Sequence, residues 1–251
     1  MQKLNFAVEE DGKPFEDVAR QFLIDEKLIG EDSKKTKGIA IGGGSISEFV
    51  AARIPITLRL LGEHLLLTGI AVLLGILVAV PIGIWLAQKE AFSGVVLGAA
   101  GVIQTIPSLA LLAFMIPIPL LGLSMQSAIV ALFLYSLLPI VRNTFTGIKE
   151  VDPDVVEAGE GMGLTSRELL RHVQLPLAMP TIMAGIRTAT VISIGVATLA
   201  AFIGAGGLGE PIITGLQLNS PRLILAGAIP AALLALLADW GLGWIENRMA
   251  S

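Results

Sequence analysis

The chain has 251 residues, of which 54% are hydrophobic and only 15% charged, with a mean hydropathy of +0.79 and a formal charge of −4. This composition excludes an ordinary soluble globular domain, and one Tyr, two His and no basic cluster interleaved with aromatics leave nucleic-acid binding without support. The absence of Cys removes disulfides, thiolate metal sites and Cys nucleophiles together.

Charge is unevenly spread. Residues 1–50 hold 7 Lys/Arg and 10 Asp/Glu, whereas no charged residue occurs between Glu90 and Arg142, between Arg187 and Glu210, or between Arg222 and Asp239. A polar head therefore precedes an apolar body. Residues 3–29 set charges against Val18, Ala19, Phe22 and Leu23, an amphipathic helical pattern too polar to span a bilayer. Residues 30–47, with Ser33-Lys34-Lys35-Thr36-Lys37 and Gly42-Gly43-Gly44-Ser45, read as a linker. Residues 46–62 carry Arg53 and Arg59 and are expected to form a separate amphipathic helix at the membrane interface.

About 20 apolar residues are needed to cross about 30 Å of hydrocarbon, and five stretches qualify: 64–87, 93–115, 125–146, 181–202 and 223–245. Ile116-Pro117-Ile118-Pro119 and Gly122 separate the second from the third. Lys89, Arg142, Lys149, Arg167, Arg171 and Arg248 would share one side, and the positive-inside tendency makes that side cytoplasmic. Five crossings then put the N-terminus outside and the C-terminus in the cytoplasm. Glu63, His64 and Asp239 are ionisable groups at span edges and so functional candidates, with anchoring at the interface the preferred alternative, and Arg187 is expected to snorkel to the cytoplasmic surface. In the fourth span Gly185, Ala189, Ser193, Ala197 and Ala201 recur every four residues, a small-residue stripe suited to close helix packing.

The longest loop on the cytoplasmic side, 147–180, holds two short helices. Asp152-Pro153 opens the first, which runs to Gly161; Thr165-Ser166-Arg167-Glu168 has the capping-box form and opens the second, which is expected to stop before Pro176. Gly161 and Gly163 form an elbow between them. The chain has no Gly-x-x-x-x-Gly-Lys-Ser/Thr sequence, and Gly204–Gly209 lacks a Lys and follows a span, which makes a tight turn there the expectation. No catalytic, cofactor or metal site is predicted, and no residue is assigned to a substrate path.

Glu157-Ala158-Gly159, Gly163 after three residues, and Val173-Gln174-Leu175-Pro176 after nine more resemble the EAA motif of permease subunits of ATP-binding cassette importers. The chain departs from that pattern at Gly159, where the family has Ala, and at Val173, where it has Ile. Gly62-Glu63-His64-Leu65, Gln104-Thr105-Ile106-Pro107-Ser108, Tyr135 to Thr144 and Ile203 to Gly209 are similar to the branch that takes up glycine betaine, carnitine or choline. Lys3-Leu4-Asn5-Phe6 and Val18-Ala19-Arg20-Gln21-Phe22-Leu23 resemble the C-terminal end of the solute-binding protein of the same systems.

The resemblance implies an all-α integral membrane protein of the type I importer fold, with about five transmembrane helices. It implies a receptor-like segment at 1–29, a linker at 30–47 and a permease domain at 48–251, whose coupling loop is 150–176. Glu157, Ala158, Gly159, Gly163, Leu164, Val173, Leu175 and Pro176 would be the ATPase-coupling residues. The implied partners are two cytoplasmic ATP-binding subunits, a solute-binding protein or fused receptor domain, a second permease copy and the lipid bilayer. ATP hydrolysis would occur on the partner, not on this chain. A self-sufficient secondary carrier or channel is the rival reading; such carriers place carboxylates mid-membrane and show repeated halves.

Overall fold

The computed structural model describes residues 15–25 and 46–250; the expectations for 1–14 and 26–45, among them Lys3-Leu4-Asn5-Phe6 and most of the linker, lie outside them. The chain divides into two compact units, Met1–Arg53 and Ile54–Ser251. In the first, α1 (Phe15–Asp25) realises the amphipathic pattern read from the sequence, with Val18, Ala19, Leu23 and Ile24 half-buried. Near the end of this unit the Arg53 guanidinium lies 5.6 Å from the centre of the Phe49 ring.

Every described element after α1 is helical. In chain order they are α2 (Ile46–Gln88), a 3₁₀ turn (Glu90–Phe92), α3 (Ser93–Thr105), α4 (Ser108–Met115), α5 (Met125–Lys149), α6 (Pro153–Gly161), α7 (Ser166–Leu169), a π turn (Leu170–Gln174), α8 (Leu175–Ala197), a second 3₁₀ turn (Leu199–Ile203), α9 (Gly209–Gln217) and α10 (Pro221–Ala250). Among the described residues four stretches are long and apolar enough to cross a membrane: Phe49–Gln88, Met125–Lys149, Ser166–Ala197 and Pro221–Met249. A fifth arises if the bent pair Glu90–Thr105 and Ser108–Met115 counts as one span. The separate interfacial helix expected at 46–62 does not exist as such. It is the first part of α2, because nothing between Ile46 and Gln88 stops a helix except Pro55 and Pro81, and the helix runs through both.

The second span is broken where the sequence reading made it continuous. Pro107 lacks an amide hydrogen and biases Ile106 to extended backbone (φ −67°, ψ 127°), so α4 leaves α3 at 95°. The Ile106 carbonyl freed by the break accepts a hydrogen bond from the Tyr135 hydroxyl of α5.

Two ends of the bundle can be told apart. At one end, α2 closes, α5 closes and α8 opens, and Ile148, Ala178 and Ile182 are buried with Ile84, Ala87, Leu170 and Leu175 against them. A surface ion pair at 2.8 Å between Lys149 Nζ and Glu90 Oε2 ties α5 to the turn after α2. At the other end, Leu67 and Ala71 of α2 pack with Leu111, Leu112 and Met115 of α4, Ala128 to Tyr135 of α5, and Ala197 to Ala205. The start of α10 lies at this second end, where Leu223 and Ile224 press on Gly215.

The small-residue stripe of α8 is buried at Gly185, Ala189, Ser193 and Ala197. It packs within the chain against α5: a Cβ on Gly185 would lie 2.6 Å from Asn143 Cβ and 2.8 Å from the Pro139 carbonyl oxygen.

Candidate functional site

The loop between α5 and α8 folds into a helical hairpin. Asp152 caps α6 by accepting from the Asp154 amide at 2.9 Å, with Pro153 at the first helical position. The elbow that ends α6 follows from Gly163, whose φ of +84° places it in the left-handed region open to glycine. The Leu164 amide reaches back to the Gly159 carbonyl at 3.2 Å and the Gly163 amide to Glu160 at 2.9 Å, a pair of bonds that closes the helix end in a Schellman arrangement. Thr165 and Glu168 then form the expected capping box. The Glu168 amide donates to Thr165 Oγ1 at 3.4 Å, and the Thr165 amide donates to Glu168 Oε2 at 2.9 Å.

Several of the sequence-predicted residues pack on one another. A Cβ on Gly159 would lie 2.6 Å from Leu169 Cδ1, 3.5 Å from Leu164 Cδ1 and 3.8 Å from Val173 Cγ2. The spacing from Gly159 through Gly163 and Leu164 to Val173 is therefore the spacing that closes two short helices onto each other. The glycine at 159 makes room for Leu169 inside the hairpin.

The second helix does not stop before Pro176. The Leu175 amide bonds to Leu170 five residues back, so the ladder has already shifted register where Pro176 removes a donor, and α7, the π turn and α8 run on without a break. Leu175 joins the core at that end of the bundle, and Pro176 is exposed.

Glu157 and Ala158 are exposed. Pro153, Val156, Glu157 and Glu160 line a cavity of about 520 Å³ whose far wall includes Ala87 and Gln88 of α2, Lys149 of α5 and Gln174. Two apolar residues, Val155 at 42% and Met162 at 75%, are exposed on α6 and the elbow beside the exposed Asp154, Glu157, Ala158 and Glu160. The sequence reading did not single out these two. Their signal is an apolar residue within a capped, largely polar loop helix and another at its glycine elbow.

Two further groups of polar residues lie elsewhere. Glu63 and His64, expected to anchor in the interface, instead face the glycine turn after α8: the Gly207 amide donates to Glu63 Oε2 at 3.2 Å and the Leu208 amide to His64 Nδ1 at 3.3 Å. Arg187, expected to snorkel, instead pairs sideways. It donates to Asp239 through Nε at 2.6 Å and Nη2 at 2.9 Å, and to Glu246 through Nη1 at 3.2 Å. Asp239 is thus held by α8 and is not free at the surface. Trp240 and Trp244 are exposed near the same end of α10, where the Arg248 guanidinium stacks 3.9 Å over the Trp244 ring.

A bundle of apolar helices, one span of it broken, with a helical hairpin at one end, defines a multi-span membrane protein. Residues 71–251 match the family described as binding-protein-dependent transport system inner membrane component, and the chain belongs to that family. It is thus the membrane component of a transport system of the ATP-binding cassette class and a multi-pass protein of the bacterial inner membrane.

The chain is 53% identical over 188 residues to the glycine betaine/carnitine/choline transport system permease protein OpuCB of Bacillus subtilis, covering 75% of this chain and 86% of that protein. It is 50% identical to the carnitine transport permease protein OpuCB of Listeria monocytogenes, over 74% of this chain and 85% of that one. It is 46% identical to the osmoprotectant import permease protein OsmW of Salmonella typhimurium, over 71% and 84%. Among solved structures, the inward-facing MetNI methionine ABC transporter superimposes with a TM-score of 0.71 at 22% identity, covering 80% of this chain and 99% of that chain, a likeness of fold.

Proposed function

We propose that this chain is the permease subunit of an ATP-driven importer for quaternary-amine osmoprotectants, in the class of glycine betaine, carnitine and choline. The substrate class rests on what relatives at 46% to 53% identity are named for transporting. The mechanism rests on one observation, the hairpin of α6 and α7 that continues without a hinge into α8. In this reading the hairpin docks on the ATP-binding subunit, and α8 carries its displacement across the bilayer as a rigid lever, giving alternating access by rigid-body movement.

Glu157, Ala158, Gly159, Gly163, Leu164, Val173, Leu175 and Pro176 form the coupling element, with Gly159, Leu164 and Val173 shaping it. Val155 and Met162 supply its apolar contact. The lysines and arginines at the hairpin end support a cytoplasmic side for that end and the C-terminus, with α2 entering from outside. Two copies of the permease would pair with two ATP-binding subunits, and a solute-binding protein would deliver substrate. The segment 1–29 is the receptor-like part, joined through 30–47 to the permease at 48–251.

The reading is tested in proteoliposomes holding the permease, its ATP-binding subunit and its receptor. Uptake of radiolabelled glycine betaine, carnitine or choline is expected to require ATP inside and receptor outside; uptake that persists without ATP returns the secondary-carrier reading. Met162→Glu places a charge on the exposed apolar face and is expected to reduce recovery of the ATP-binding subunit with the tagged permease by about tenfold, the scale of one interface anchor. Undiminished recovery would remove Met162 from the contact.

A further inference from the structure

The glycine turn after α8 is held by two adjacent side chains of α2, and the hold is specific. At the end of α8 the Thr198 amide bonds three residues back to Gly195 at 3.3 Å instead of four back, which leaves the Ile194 carbonyl without its helical partner. His64, fully buried, takes that carbonyl with Nε2 at 3.1 Å. A carbonyl only accepts, so Nε2 carries the proton and Nδ1 is free to accept the Leu208 amide at 3.3 Å. One neutral imidazole thus bridges the frayed end of α8 and the turn that follows.

Beside it, Glu63 accepts from the Gly207 amide at 3.2 Å and faces Arg59 at 3.7 Å. The turn is shaped to receive both side chains. Gly206 and Gly207 have φ of +77° and +79°; a Cβ on Gly206 would lie 2.6 Å from Glu63 Oε2, and one on Gly207 3.0 Å from His64 Nδ1. Gln88 lies about 36 Å further along α2 at 1.5 Å per residue, so with the end of α2 at one face of the bilayer the clasp sits at the other. It therefore lies at the far end of the α8 lever from the coupling hairpin.

We propose that the Glu63–His64 clasp on the Gly206–Leu208 turn is the outer closure of the translocation path. His64 acts as a positioning residue that locks the end of α8 until the hairpin moves it. The proposal rests on the transport reading above. It explains why two polar side chains are spent on backbone groups of a turn that a tighter helix end would satisfy alone.

The test uses proteoliposomes of the complete complex preloaded with labelled glycine betaine, carnitine or choline, and follows loss of label without ATP together with ATP hydrolysis without substrate. His64→Leu removes donor and acceptor, and both signals are expected to rise about tenfold. His64→Gln offers an amide donor and a carbonyl acceptor, and both signals are expected to fall most of the way back. Leakage in His64→Leu equal to the parent, or in His64→Gln equal to His64→Leu, overturns the proposal. If His64→Leu does not accumulate, Glu63→Leu at the partly exposed neighbour decides, since leakage equal to the parent there also overturns it. ATP-independent uptake by the unaltered complex is a different result and strikes the transport reading instead.

Discussion

Replacing Gly163 with valine is expected to lower ATP-driven uptake by at least tenfold while the ATP-binding subunit, assayed alone, keeps its hydrolysis. The cause is the backbone. A Cβ at 163 would meet no atom within 4 Å, so no clash is introduced, but φ is +84°, where an L-residue costs about 1–2 kcal/mol and a β-branched one more. That cost falls on a hairpin held by two elbow hydrogen bonds and one capping box, and the chain relieves it by opening the elbow. Gly163→Asn, which tolerates the left-handed region, is expected to keep most of the uptake, and Gly163→Ala to fall between. Equal uptake by the valine and asparagine variants would show that the elbow angle does not matter to coupling.

Arg187→Leu is expected to prevent accumulation of the protein in membranes. Arg187 stands about 18 Å along α8 from Leu175, deep in a span, and neutralises two carboxylates of α10 with three hydrogen bonds. Removing it leaves Asp239 and Glu246 facing each other and lipid with no counter-charge, whereas removing all the charges leaves no such debt. The triple replacement Arg187→Leu, Asp239→Asn and Glu246→Gln is therefore expected to accumulate at close to the parent level. Arg187→Lys, a point charge without the planar fork, is expected to fall between. Quantitative blotting of washed membranes checks all three, and parental levels of Arg187→Leu would show that the triad does not hold α8 to α10.

Much of the α6–α7 hairpin was legible in the chain because its interactions are local. The Asp152 cap, the Gly163 elbow and the Thr165–Glu168 box all join residues within about five positions of each other, where side-chain type and backbone preference settle geometry directly. Pro176 misled for the same reason. Read locally it ends a helix, but the π turn before it had already moved the hydrogen-bond ladder, and proline at the start of a new α-helical register removes nothing that was needed. Pro107 shows the converse: here the helix does break, and Tyr135, 29 residues away, receives the freed carbonyl.

Residues that pair at long range were legible only as polar groups in apolar surroundings. His64 meets Ile194 at a separation of 130 residues, Glu63 meets Gly207 at 144, and Arg187 meets Asp239 at 52. From the chain alone each is an ionisable residue near the end of a span, and anchoring in headgroups is the simplest home for it. Which way each helix turns its polar side chain depends on how all the apolar faces pack.

The order of residues alone was enough to show a membrane protein, the rough course of its apolar spans and the capped hairpin between α5 and α8, because burial in lipid and short-range capping are properties of consecutive residues. It took the packed helices to reveal that the hairpin is one piece with α8, that Val155 and Met162 are exposed on it, and that α2 and α10 both bond to α8. Those are relations between faces of helices far apart in the chain, and no local preference encodes them.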